Sequence, residues 1–148
     1  MAALQYRPRS DPYTVNHHPL VRVKIMLTKN IAAECATLED FWFPKVIGEV
    51  NGQLLKVAKL KGQLVWHAHD EEDELFYIVK GELKIELQDR TLHLAEGDFA
   101  TIAKGTMHNP IAEEECWILL IEPASTKHTG NALTPRTRSL EQQLNAAR

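Results

Sequence analysis

Residues 62–81 read GQLVWHAHDEEDELFYIVKG, and the fold is decided here. His67 and His69 stand one residue apart, an acidic run from Asp70 to Asp73 follows, and Glu74 opens the apolar stretch ELFYIV. In an extended chain successive side chains alternate faces, so His67 and His69 point one way and Trp66 and Ala68 the other. The DEED run reads as a solvated turn. Beyond it, Glu74, Phe76 and Ile78 share the inner face of a strand over residues 74–80, and Leu75, Tyr77 and Val79 share the outer face. An antiparallel return from that turn is expected to set the Glu74 carboxylate beside the two imidazoles.

The same alternation continues outward in both directions. Strands are predicted over residues 63–69, 82–88, 91–94, 98–103, 107–111 and 116–122, with Gly62, Gly81, Asp89-Arg90, Gly97-Asp98 and Gly105 as turn marks. Leu83, Ile85 and Leu87 share one face against Glu82, Lys84 and Glu86. Upstream, residues 45–50 and 53–60 flank Asn51-Gly52, a hairpin signal because both residues accept positive φ at low cost. Short strands at this spacing predict an all-β barrel or sandwich. Of Lys56 and Lys59, on opposite faces of one strand, at most one points inward, and a solvated lysine is the expectation for each.

The ends differ. Residues 1–20 are rich in Pro, Arg, Asp and His and read as an extended arm, with His17 and His18 in it. Residues 21–27 (VRVKIML) suit a half-buried strand. Asn30 is expected to cap a short helix reaching about residue 41, with Ile31, Cys35 and Leu38 at helical spacing, and Pro44 ends that possibility. The chain therefore divides into an N-terminal arm, strand and short helix over 1–44, a barrel over 45–123, and a polar tail over 124–148 that ends in a short helix from Ser139.

Composition narrows the function classes. The 148 residues carry a formal net charge of -3, so no basic footprint for nucleic acid or an anionic membrane is present. No apolar run approaches the roughly 20 residues of a membrane span, and the N-terminus lacks the apolar core of a secretory signal. Cys35 and Cys116 are expected to be free thiols in a reducing cytoplasm. Cys116, in an apolar strand, reads as a small buried hydrophobe. His93 and His128 read as surface residues, and the three tryptophans as core or interface area.

A third imidazole comes from His108, after GDFATIAKGTM at the start of a late strand. Three imidazoles and a carboxylate (His67, His69, Glu74 and His108) suit a first-row divalent ion: Fe, Mn, Ni, Cu or Zn. In a six-coordinate ion such a set leaves two positions open, while tetrahedral Zn would be closed and structural.

Residues 62–81, with glycine, His-x-His, Glu74 and Gly81 in order, resemble the first motif of the cupin superfamily. GDFATIAKGTMH, over residues 97–108, resembles its second motif. Three positions depart from the pattern. Four residues rather than five separate Gly62 from His67, Ala103 stands where proline is usual, and Ala112 stands at the final asparagine. The resemblance implies a double-stranded β-helix, or jelly-roll, barrel of the small single-domain kind similar to mannose-6-phosphate isomerase. It implies a metal held by His67, His69, Glu74 and His108, and action on a sugar, sugar phosphate or organic acid by isomerisation or oxygenation. A non-catalytic ligand-binding or sensing module with a structural metal is the competing reading. Catalytic residues beyond the ligands are not assigned. The outward Leu75, Tyr77 and Val79 need cover from another sheet, from the N-terminal arm or from a second subunit, and a homodimer, common among cupins, is the preferred source.

Overall fold

The computed structural model describes residues 28–146, so the arm, His17, His18 and the expected strand over residues 21–27 lie outside the described residues. Asn30 caps α1 (Ile31–Ala36), its side chain accepting the Ala33 N–H at 2.9 Å. The helix is shorter than expected. The Thr37 hydroxyl donates back to the Glu34 carbonyl at 2.7 Å, and the Leu38 N–H bonds Cys35 in a tightened turn, so the chain leaves the helical path before residue 41.

Seven strands follow, all paired antiparallel: β1 (Lys45–Val50), β2 (Gln53–Gln63), β3 (Glu74–Lys80), β4 (Glu82–Leu87), β5 (Thr91–Ala95), β6 (Phe99–Ile102) and β7 (His108–Pro123). Asn51 and Gly52, at φ 50 and 78, close the β1–β2 hairpin with Val50 opposite Gln53, the left-handed pair that a two-residue turn requires. The strand order is β1-β2-β7-β3-β6, with β4 joining β7 and β5 joining β4. The two late strands expected at 107–111 and 116–122 are one 16-residue strand. β7 pairs β4 through His108–Ile111 and β3 through Trp117–Ile121, and a register shift at Leu60/Gly62 of β2 accommodates the crossing. This bent strand wraps the sheet into the jelly-roll barrel.

Side-chain parity sorts two apolar layers. Inside lie Ala58 and Leu60 of β2, Phe76 and Ile78 of β3, Leu83 and Ile85 of β4, Ile102 of β6, and Cys116, Ile118 and Leu120 of β7. Each fully buried aliphatic contributes about 1.5–3 kcal/mol. Outside, Val57 and Leu119 pack under Cys35 and Leu38, with Tyr77, Val79, Trp117 and Ile121 at the margin. Part of the cover for this outer layer thus comes from α1 and the turn after it. At the other end, α2 (Leu140–Asn145) begins with a capping box between Ser139 and Gln142.

Candidate metal centre

His67 and His69 do not belong to a ladder. The expected strand over 63–69 is replaced by an extended segment with a single bridge, in which the His67 N–H donates to the His108 carbonyl at 3.0 Å and the His108 N–H donates back at 2.9 Å. Alternation survives, and both rings are buried with centroids 5.1 Å apart, while Trp66 stays partly exposed. The bridge also brings His108 in directly, its ring centroid 4.3 Å from that of His67. Glu74 arrives by another route than expected. β3 pairs β6 and β7 rather than the histidine segment, and the inward parity of β3 aims Glu74 at the imidazoles. The acidic turn is exposed at Asp70, Glu71 and Asp73, yet it is also tied down, with Asp73 Oδ1 accepting the Lys104 N–H at 2.9 Å.

The four side chains His67, His69, Glu74 and His108 are buried, and one ligand atom from each lies within 4.8 Å of the others. Glu74 Oε2 is 3.3 Å from Nε2 of both His69 and His108. None of those three atoms has a partner at hydrogen-bonding geometry, an arrangement that buried polar atoms otherwise avoid. The opposite ring nitrogens are occupied: His67 Nδ1 donates to the Val65 carbonyl and His108 Nδ1 to the Thr106 carbonyl, each at 2.9 Å. A ring that donates from Nδ1 presents a lone pair at Nε2, which is how metal-binding imidazoles are oriented. The donor set and its orphaned atoms fit a divalent ion. Ala103 in the second motif does no harm here, since the Thr106 N–H closes the turn on Ala103 O at 3.1 Å and the Gly105 N–H bonds His69 O at 2.7 Å.

The electrostatics agree. Burial and the neighbouring His108 push His67 down to about 4, so it is neutral at pH 7. Burial alone would raise the Glu74 carboxyl, but His108 and His69 outweigh it and hold it well below the usual carboxylate range. For His69 the balance runs the other way, as burial is outweighed by Glu74 and its pKa rises.

The barrel holds more polar groups than the sequence suggested. Lys56, expected in solvent, is wholly buried on the inner face of β2, its Nζ 2.5 Å from Glu122 Oε1 of β7. Burial and the nearby Glu74 charge push Glu122 up, to about 8, while Lys56 pulls the other way. Lys59 behaves as expected of an outward residue and lies over the Trp117 ring. His128, expected at the surface, lines a cavity of about 20 Å³ with His67, Glu74, Phe76, Trp42 and Leu120. No local pattern in the tail marked it. His93 is exposed as expected. Trp42 forms a wall of this cavity in a left-handed backbone conformation, φ 58, rare for so large a residue, with its Nε1 donating to the Lys61 carbonyl at 2.7 Å. Both cysteines are free, and burial pushes Cys116 up to about 12, which removes it as a nucleophile.

Comparison with known proteins agrees with this geometry. The family of the Cupin domain matches residues 55–122. A cupin-2 domain protein of Shewanella frigidimarina is 38% identical, superposes with a TM-score of 0.63, and is covered over 93% of its length by 64% of this chain. Protein NMB1881 of Neisseria meningitidis is 28% identical with a TM-score of 0.61, covered over 99% of its length by 66% of this chain. The uncharacterized Bacillus subtilis protein YdbB is 41% identical over 63 residues, which are 42% of this chain and 56% of that protein's length. Among the described residues no helix is long and apolar enough to cross a membrane. With both motifs in place on a jelly-roll barrel and a relative of this identity covered almost end to end, the chain belongs to the cupin superfamily.

Proposed function

We propose that His67, His69, Glu74 and His108 hold a divalent metal ion and that the protein is a metal-dependent enzyme acting on a small polar metabolite. One observation carries this reading: Nε2 of His69, Nε2 of His108 and Oε2 of Glu74 converge without partners of their own, while the far nitrogens of His67 and His108 are fixed by backbone carbonyls. A bound ion would supply Lewis-acid polarisation of a substrate oxygen or, if redox-active, access to dioxygen chemistry. The chain's own part is to fix the tautomers, to provide one carboxylate charge, and to line the adjoining cavity with the apolar Phe76, Leu60, Leu64 and Leu120.

Within the enzyme reading, the cavity and its lining speak against a sugar phosphate as substrate. The cavity beside His67 and Glu74 admits a water-sized molecule, and a hexose would have to remain at its mouth. No arginine or lysine lines it among the described residues. Arg136 is engaged with the Gln63 carbonyl, and Arg138 with the Pro135 and Thr137 carbonyls and the Phe43 ring. Elemental analysis of protein purified without added metal, then oxygen uptake and isomerisation assays against a panel of organic acids, sugars and sugar phosphates, tests this. Absence of stoichiometric metal after reconstitution with each of Fe, Mn, Ni, Cu and Zn would refute the centre. Metal without turnover of any acid or sugar phosphate would favour the binding-module alternative.

We further propose that the protein works in the cytoplasm as a homodimer. Cover from α1 leaves Leu75 and Tyr77 partly exposed, and β6 presents Phe99 at 65% exposure on a sheet edge. A monomer mass by light scattering would refute the pairing.

A further inference from the structure

Residues 124–139 run back across the barrel as a strap tied to the first-motif segment. Ser125 Oγ donates to Glu72 Oε1 at 2.9 Å, Asn131 Nδ2 donates to Asp70 Oδ2 at 2.9 Å, and Arg136 donates to the Gln63 carbonyl. Gly130 packs so closely on Ala68 that a Cβ there would meet its carbonyl oxygen at 1.9 Å. The strap carries His128 to the cavity wall beside His67 and Glu74, outside the four-residue cluster.

The backbone fixes the state of that ring. The Arg138 N–H donates to His128 Nδ1 at 3.2 Å, so a neutral ring has its proton on Nε2. Burial and the charge of Lys56 hold the imidazole down to about 4, so it is neutral at pH 7. The ring is half-buried, its Nε2 is not among the sealed, unpartnered atoms of the interior and so stays open to an incoming acceptor, and the other walls of the cavity are mainly apolar. We propose that the His128 Nε2–H is a ligand-directed donor, binding an anionic or carbonyl acceptor atom of a small molecule held beside the metal centre. The proposal rests on the metal reading above and adds to it a specificity-determining residue from the strap.

The probe is azide, a small anion, titrated into cobalt-loaded wild-type protein, His128→Leu and His128→Gln. Azide should shift the cobalt visible bands in the wild type. His128→Leu should bind about tenfold more weakly at unchanged cobalt stoichiometry, and His128→Gln, which keeps an N–H donor, should recover part of that loss. Nitrogen NMR of metal-free wild-type protein should place the His128 proton on Nε2. Equal azide affinity in His128→Leu, or a proton on Nδ1, overturns the proposal. If the wild type takes up no cobalt, the metal reading fails separately. The His128 proposal is then decided in metal-free protein, where an Nε2–H resonance unmoved by azide overturns it.

Discussion

Gly130→Ala tests whether the strap is held by close packing on the histidine segment or merely rests there. Two costs are built into this position. The residue has φ 53, a left-handed conformation that costs a residue with a Cβ about 1–2 kcal/mol. The added Cβ would also lie 1.9 Å from the Ala68 carbonyl oxygen and 2.9 Å from its carbonyl carbon, where ordinary contact begins above 3 Å. Backbone faces backbone, so no rotamer change relieves the clash. The strap must lift by more than 1 Å, and the Asn131–Asp70 bond goes with it. Gly97→Ala supplies the control, since Gly97 has φ 90 and its Cβ would meet nothing within 4 Å. Urea unfolding of metal-free protein should show a loss of about 1–2 kcal/mol for Gly97→Ala and at least about 3 kcal/mol for Gly130→Ala. If the strap detaches without global unfolding, amide exchange at Gly130 and Ala132, which bond Lys127 and Thr129 carbonyls, should quicken instead. Equal losses for the two variants, with unchanged exchange in the strap, would refute the reasoning.

Other expectations concern the interior. His69→Ala should leave the fold intact by circular dichroism and weaken metal binding by more than the about 10–100-fold that loss of an outer partner costs, as read by competition with a chelator. His128, held down to about 4 against an ordinary 6.5, makes the unfolded state bind more protons between those values, so its contribution to stability is complete above about 6.5 and is lost as pH falls toward 4. His128→Leu should therefore flatten the acid limb of metal-free protein by an amount on the order of 3 kcal/mol, and parallel limbs in wild type and variant would count against the buried ring. Glu122 is raised to about 8, so its contribution is complete below about 4.5 and is lost as pH rises through 8. Lys56→Met should accordingly be most destabilised above pH 8, by about 3 kcal/mol or more, and Lys56→Met/Glu122→Leu should return to within about 1 kcal/mol of wild type. A double variant as weak as the single one would deny the pairing.

What the sequence made legible follows from local rules. Glu74, Phe76 and Ile78 are buried and Leu75, Tyr77 and Val79 partly exposed because the period of a strand is two, and nothing along β3 breaks it. Asn51-Gly52 turns where the positive φ pair demands it. His67, His69, Glu74 and His108 were found because their order matches two motifs and their parity agrees with a barrel. Lys56 was misplaced for the opposite reason. In LLKVAKL a lysine reads as a solvated position, and the partner that permits its burial, Glu122, is 66 residues away. His128 sits in a tail without periodicity, and its place depends on the strap's contacts with Asp70, Glu72 and Ala68. The division of residues 107–122 into two strands failed because the run of Glu113 to Glu115 resembles a loop, although these exposed side chains continue β7, with Lys84 paired to Glu113.

The interior groups also explain one another. Glu74 and Glu122 place two carboxylates in one buried interior, and Lys56 pairs with the second of them. Burial first, and then the Glu74 charge, raise the Glu122 pKa in the metal-free barrel against the pull of Lys56. A divalent ion held by the four ligands, with their imidazoles neutral, would favour ionised Glu122 beside Lys56 and leave a net positive interior. Such a site attracts an anionic ligand, and His128 stands on the cavity wall with an N–H and no positive charge of its own. Lys56, which a sequence reading leaves in solvent, thus serves as the counter-charge that keeps a second carboxylate near the centre without binding the ligand itself.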